Sequence, residues 1–240
     1  MSRLDVELVN RKMVKSRNVA QQIIKEGIVF VNSKAVVKAS IEVNETDEIE
    51  IKGNLPKYVG RGGLKLEKAI DEFKIDLTDK TCIDIGASTG GFTDCMLQNG
   101  ARLVYAVDVG RDQLDVTLRK NGRVISLEQT DVREAEGKIP EKADFISIDV
   151  SFISLRSVLP FAVKMLKACG GIAALIKPQF EVGKSGIGKK GIVKNPKLRE
   201  RSVNEIKEYS LLLGLKIAGI VESPITGGDG NIEYLIYLLR

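Results

Sequence analysis

The 240-residue chain contains no histidine and no tryptophan. Histidine is the side chain that most often moves protons near neutral pH, so any acid–base chemistry here has to rest on carboxylates and lysines. Only three cysteines occur (Cys82, Cys95 and Cys169), with neither disulfide nor metal-ligand spacing. They read as small apolar fillers in a reducing cytoplasm, and no metal site is expected. No apolar run approaches the roughly 18 residues of a membrane span. The N-terminus, Met1-Ser2-Arg3-Leu4-Asp5, lacks the apolar core of a signal peptide. Together with the want of a strongly amphipathic lytic helix, these absences argue against a membrane-lytic protein. What remains is 43% hydrophobic and 29% charged, which suits a globular protein of one large domain, or a large one with a small one.

The net charge of +5 is unevenly spread. Residues 1–40 carry eight basic side chains against three acidic ones, and residues 177–201 carry eight against Glu181 and Glu200. Two basic zones on one chain suggest a polyanionic partner.

The first zone falls in a compact pattern over residues 1–51. Leu4, Leu8 and Val9 form one helical stripe. Ser16 is placed to cap a second helix with Val19, Ala20, Ile23 and Ile24 inward, stopped at Gly27. Residues 28–31 and 35–37 flank an Asn32-Ser33 turn as a short hairpin, and residues 48–51 alternate like a further strand. Residues 52–63, with Gly53, Pro56, Gly60, Gly62 and Gly63, read as a linker. From Leu64 onward, strands at 81–85, 104–107, 124–127, 145–148 and 172–176 alternate with helices at 64–73, 154–166 and 196–213. Final strands at 215–222 and 232–239 are close enough to pair antiparallel. That alternation predicts an α/β fold with a parallel sheet covered on both faces.

Between the first of these strands and a helix through Met96 and Leu97 lies Asp84-Ile85-Gly86-Ala87-Ser88-Thr89-Gly90-Gly91-Phe92. A strand that breaks at Gly86 and reopens as a helix near Gly91 leaves space for a nucleotide-like ligand against the main chain. The spacing is not the G-x-G-x-x-G of dinucleotide folds, and Asp84 precedes the first glycine. This fits S-adenosylmethionine better than NAD. Ligands of such sheets sit beyond the carboxyl ends of the strands, where Asp84, Asp108, Asp149 and Lys177 fall. Asp108 occupies the place of a ribose-holding carboxylate. Asp131 reads equally as a partner for an adenine amino group or as a turn former. On pattern alone, Asp149 and Lys177 fit a catalytic pair and a structural ion pair equally. The apolar flanks of Lys177 favour a function for it.

The residues Arg3-Leu4-Asp5, Ser16-Arg17, Ala20, Ile24, Gly27, Val29 and Val31-Asn32 make the front segment resemble the small RNA-binding domain first recognised in a primary-binding ribosomal protein of the small subunit. The resemblance implies that Arg3, Arg11, Arg17 and Lys34 face RNA phosphates. The basic linker, with Arg61, suits a joint lying against RNA. Downstream, the matching motifs are Arg61-Gly62-Gly63-Leu64-Lys65-Leu66, the Asp84–Phe92 loop with Ala87, Ser88, Gly90 and Gly91, Ser147-Ile148-Asp149-Val150-Ser151-Phe152, Ile176-Lys177-Pro178-Gln179-Phe180-Glu181 and Gly230-Asn231-Ile232-Glu233-Tyr234-Leu235. They resemble the FtsJ-like ribose 2′-O-methyltransferases. As a whole the chain resembles the TlyA family of ribosomal RNA methyltransferases, historically labelled haemolysins. The resemblance implies a Rossmann-like methyltransferase sheet with an antiparallel last strand over residues 64–240. It also implies S-adenosylmethionine as cofactor, ribosomal RNA within a ribosomal subunit as partner, and a tetrad of Lys65, Asp149, Lys177 and Glu233. Cytidine ribose is the implied target. The large subunit is favoured over both, because the chain starts at the first helix and stops at the last strand. Lys177 is left as either base or alkoxide stabiliser. The loop Gly183–Gly191 is expected to close over RNA through Lys184, Lys189 and Lys190. Rival readings are a ribosome-assembly factor with a degenerate methyltransferase domain and, on weaker grounds, a dehydrogenase.

Overall fold

The computed structural model of the chain describes residues 1–183, 186–188 and 191–240. The front unit begins with β1 (Ser2–Arg3), α1 (Leu4–Asn10) and α2 (Arg17–Lys25). Ser16 caps α2, its Oγ accepting from the amide of Val19 at 3.4 Å. There follow β2 (Val29–Val31), β3 (Lys34–Val36), β4 (Glu42–Val43) and β5 (Ile49–Ile51). Asn32 and Ser33 both take left-handed φ angles, 48° and 64°, as a two-residue hairpin turn with the sheet's own twist requires. β3, β2 and β5 form one sheet in that order, and β1 pairs with β4 in a second. Leu4, Leu8, Ala20, Ile23, Ile24 and Val29 are fully buried at the centre of this unit.

The downstream unit runs α3 (Gly62–Phe73), β6 (Thr81–Ile85), α4 (Gly91–Gln98), β7 (Leu103–Val107), α5 (Val116–Arg119), β8 (Val124–Leu127), α6 (Val132–Ala135) and β9 (Ala143–Ile148). After a 3-10 turn at Leu155–Ser157 come α7 (Leu159–Met165), β10 (Leu166–Ile176), α8 (Pro178–Glu181), α9 (Pro196–Leu212), β11 (Lys216–Glu222) and β12 (Tyr234–Leu239). The sheet order is β11-β12-β10-β9-β6-β7-β8. β12 alone is reversed, inserted between β10 and β11 and antiparallel to both. Leu66, Ala69, Cys95 and Met96 cover one face of the sheet. Leu159, Ala162 and Ile206 cover the other.

Two expectations change. The helix expected over 154–166 is broken into a 3-10 turn and α7, with Pro160 in the first turn of α7. A proline there gives up only an amide that has no helical partner, whereas deeper in a helix it would remove a bond and clash. The stretch 52–63 is not a loose joint at its downstream end. Tyr58 and Val59 are 3% and 8% exposed and belong to the downstream core, and α3 starts at Gly62 rather than Leu64. The amide of Val59 donates to Asp94 Oδ2 at 2.9 Å, and Tyr58 Oη donates to Glu67 Oε1 at 3.0 Å. No helix among the described residues is long and apolar enough to cross a membrane.

Candidate active site

The parallel sheet delivers its functional side chains at the carboxyl ends of β6, β7, β9 and β10. The register pairs Ile85 of β6 with Ile148 of β9, and the amide of Asp149 donates to the Ile85 carbonyl at 2.9 Å. Asp149 therefore emerges beside Gly86. That glycine has φ 84°, and a β-carbon there would collide with the Asp149 carbonyl oxygen. On the other side, Ile176 of β10 pairs with Tyr234 of β12, so Lys177 and Glu233 leave the sheet as neighbours.

The four tetrad residues form two ion pairs. Lys177 Nζ lies 2.6 Å from Asp149 Oδ1 and donates to Ser151 Oγ at 2.9 Å. Lys65 Nζ donates to Glu233 Oε2 at 2.6 Å, with both side chains largely buried. The first turn of α3 connects the pairs: a β-carbon at Gly62, three residues before Lys65, would lie 4.0 Å from Asp149 Oδ2. Asp149 Oδ1 is buried and has no donor aligned for a hydrogen bond among the described residues, so the ammonium reaches it as an ion-pair contact only. The Asp149 side chain keeps 20% of its surface exposed at this strand end, where a substrate hydroxyl can approach it.

Two connected hollows share Gly86, Ser88, Asp149 and Ser151. The larger, about 560 Å³, has Asp108, Asp131, Val150 and Phe152 in its wall. The smaller, about 220 Å³, carries Phe92 and Lys177. Asp108 is held in place by the amides of Ser88 (2.8 Å) and Gly110 (2.7 Å). Asp131 caps α6 through the amide of Arg133 (2.9 Å). The Arg133 side chain, then its amide, draws the Asp131 carboxyl down to about 2. Apolar walls with carboxylate acceptors at separate points, in a volume typical of small-ligand sites, fit S-adenosylmethionine.

Four of the loop's amides are engaged within the fold. Those of Gly86 and Ala87 donate to the Val107 carbonyl, Ser88 to Asp108, and Gly90 to the Ala87 carbonyl. Gly90, at φ 94°, starts the turn into α4, and Gly91 and Phe92 open that helix. Asp84 does not reach the hollows. It is fully buried beneath the loop, accepting from Thr93 Oγ1 at 2.7 Å and Ser147 Oγ at 2.9 Å. Burial pushes its carboxyl up to about 6, against the lowering effect of those two hydroxyls.

Among the expected RNA contacts, Lys34 and Arg61 are exposed and carry no ion pair among the described residues. Arg3 and Arg17 both lie on the buried Asp5, at 3.0 and 2.9 Å. Arg11 is committed within the fold. It donates to Glu7 Oε1 (2.8 Å) and to the carbonyls of Asp47, Asn44 and Glu45 at 2.8 to 3.1 Å, leaving no fork for a phosphate. Lys184, Lys189 and Lys190 lie outside the described residues.

Residue-type reasoning assigned no role to Ser151, Thr93 or Ser147, which orient the charged groups. Nor did it single out Phe152, which is 91% exposed at a left-handed φ of 64°, its ring 5.2 Å from that of Phe180. A bulky residue held in that region is an outlier of the kind that collects at functional sites. Its proximity to Asp149 in sequence was the available signal.

Comparison with known proteins gives a family for each unit. Residues 58–240 match the FtsJ-like methyltransferase family, and residues 2–49 match the S4 domain. The chain is 40% identical to the 16S/23S rRNA (cytidine-2′-O)-methyltransferase TlyA of Mycobacterium tuberculosis, over 99% of this chain and 89% of that protein. It is 35% identical to the 23S rRNA (cytidine-2′-O)-methyltransferase TlyA of Campylobacter jejuni, over 97% of each. A solved structure from Streptococcus thermophilus carrying a hemolysin label is similar at a TM-score of 0.79 and 43% identity, covering 100% of this chain and 88% of that one. The S4 and FtsJ-like matches stand in the same order as the two structural units, and the chain belongs to the TlyA family of ribosomal RNA methyltransferases.

Proposed function

We propose that this protein methylates the ribose 2′-hydroxyl of a cytidine in large-subunit ribosomal RNA, in the cytoplasm, with residues 1–51 holding RNA and residues 64–240 carrying out the transfer. The observation that carries this reading is the Lys177–Asp149 ion pair, set at the mouth of the glycine-loop hollow beside the Lys65–Glu233 pair. Both named relatives have 23S RNA and cytidine in common, which supports the large subunit as target.

Gly86, Ala87, Ser88, Gly90, Gly91, Phe92, Asp108 and Asp131 would hold S-adenosylmethionine, with Asp84 bracing the loop from below. The cofactor supplies a methyl group already activated on a sulfonium, so no metal is needed to make the carbon electrophilic. The protein's own work falls on the weak nucleophile. It must hold the hydroxyl in line and ease the loss of its proton. In an ion pair Lys177 is an ammonium with no lone pair to accept a proton. Pointed at the 2′-oxygen, it stabilises the developing alkoxide, while the Asp149 carboxylate is the nearby acceptor. Glu233, neutralised by Lys65, keeps a second carboxylate beside Lys177 without leaving an unpaired buried charge.

The test maps 2′-O-methyl positions on ribosomal RNA with and without the protein, beside the Lys177→Ala variant. A cytidine in large-subunit RNA should gain the mark, and the variant should lose at least about 100-fold in transfer while its cofactor affinity, read by calorimetry, is retained. Substantial residual transfer by the variant would remove Lys177 from the mechanism. No methylation by the intact protein would leave RNA binding as the function.

A further inference from the structure

A groove of about 460 Å³ separates α2 of the front unit from the backbone of residues 59–61 and the glycine loop. Its walls include Asn18, Gln22 and Lys25 on one side and Gly60, Arg61 and Thr89 on the other. Most of the side chains that line it are polar or charged. Lys25 and Arg61 face it from opposite units, both exposed and neither ion-paired among the described residues. The acid on its rim, Glu26, already accepts from Gln22 Nε2 at 3.0 Å. Two cations without partners at a polar groove are a phosphate-binding arrangement in search of a ligand.

The far end of the groove gives the ligand its identity. Thr89 lines both this groove and the hollow that holds Asp149 and Lys177. Gly60 presses on the same residue so closely that a β-carbon there would fall 2.6 Å from Thr89 Oγ1. The groove thus ends one residue, Thr89, away from the hollow in which the acceptor hydroxyl is proposed to sit. A chain entering the site from this side presents one phosphate after another to Lys25 and Arg61. We infer that the groove between α2 and residues 59–61 holds the sugar–phosphate backbone of the RNA strand adjoining the methylated nucleotide, with Lys25 and Arg61 as its phosphate contacts. This rests on the RNA 2′-O-methylation reading above. It sets Lys25 and Arg61 as phosphate contacts in place of Arg11, whose guanidinium is committed within the fold.

The test compares the full-length protein with Lys25→Gln, Arg61→Gln and the double variant. Lys164→Gln is the control: Lys164 lies in the last turn of α7, just before β10 begins at the amino edge of the sheet, away from the site. The probe is unmodified ribosomal RNA transcribed in vitro. Each groove variant should flatten the plot of log affinity against log salt by roughly 0.7. The double variant should raise KM for RNA about tenfold, with kcat and cofactor affinity unchanged. A wild-type salt slope and KM in the double variant would overturn the groove. So would a loss of cofactor affinity matching the loss of RNA affinity, since the residues would then merely brace the glycine loop. If the wild-type protein transfers no methyl group, the enzymatic reading fails, and the binding slopes still decide the groove.

Discussion

Asp84 is a carboxylate with no cation beside it, sealed beneath the cofactor loop by two hydroxyls. Its pKa is raised by burial to about 6, so between about pH 4 and 6 the folded protein binds a proton that the unfolded chain has released. The stabilising contribution is therefore fully present below about pH 4 and is lost as pH rises through 6. That loss is on the order of 3 kcal/mol. Asp84→Asn removes the charge and keeps an acceptor for one hydroxyl. Thermal unfolding of the variant should show a flatter pH dependence between 4 and 6 than the parent, with the gain in stability largest near pH 7. An identical pH profile would mean that Asp84 is not the group responsible. The sequence located Asp84 but not its direction. Every residue of β6 is buried, so apolar alternation cannot show which face each side chain takes. Asp84 shares its face with Cys82, which packs in the α3–α4 core, and there it meets Thr93. Asp149 and Lys177, by contrast, stood out because each directly follows a strand whose end is easy to read, whereas Lys65 and Glu233 were singled out only by the family resemblance.

At the scale of elements, the front unit shows where a charge count misleads. Arg11 lies at the end of α1 and reaches 33 to 36 residues along the chain to tie down the turn before β5. No sequence pattern reports those carbonyls, so the arginine looks like every other surface cation. Arg11→Ala should destabilise the front unit by about 1–3 kcal/mol, because several backbone acceptors lose a charged donor. The RNA salt slope should barely change. Lys34→Ala, on the exposed hairpin strand β3, should do the reverse: unchanged denaturation and a slope shallower by roughly 0.7. Denaturant unfolding and salt-dependent binding, run on both variants, separate a structural cation from one facing RNA. A shallower slope for Arg11→Ala with no loss of stability would contradict the assignment. β11, β12 and α9 were readable to within a few residues, whereas β10 starts at Leu166, well before the expected 172, because its first residues carry no alternation. Two-residue strands such as β1 and β4 carry no period at all, and their pairing depends on tertiary contact.

Across the whole molecule, the front core is separate from the two cores on either face of the downstream sheet, and the units are joined by one chain segment and contacts such as Asn18 Nδ2 donating to Asp115 Oδ2 at 3.3 Å. The front core is built on about fifty residues, a size at which stability is marginal, and it leans on Asp5. Burial pushes the Asp5 carboxyl up, but hydrogen bonds from Arg3, Gln21 and Arg17 together outweigh this and hold it well below the usual carboxylate range. A depressed pKa gives stability that is present above about pH 4 and lost as pH falls further. Asp84 in the other unit has the opposite sign, becoming less costly as pH falls from about 6 to 4. Acidification should therefore open the front unit while the downstream sheet is still protected. Hydrogen exchange read by mass spectrometry on the full chain tests this. Peptides spanning α1 and α2 should lose protection below about pH 4, ahead of peptides from β6, β9 and β10. Asp5→Asn should already show that early opening at pH 7, since an amide cannot pair with two arginines. Simultaneous loss of protection in both units would show that they unfold as one, and that the polar seam at Asn18 and Asp115 couples them more strongly than its single hydrogen bond suggests.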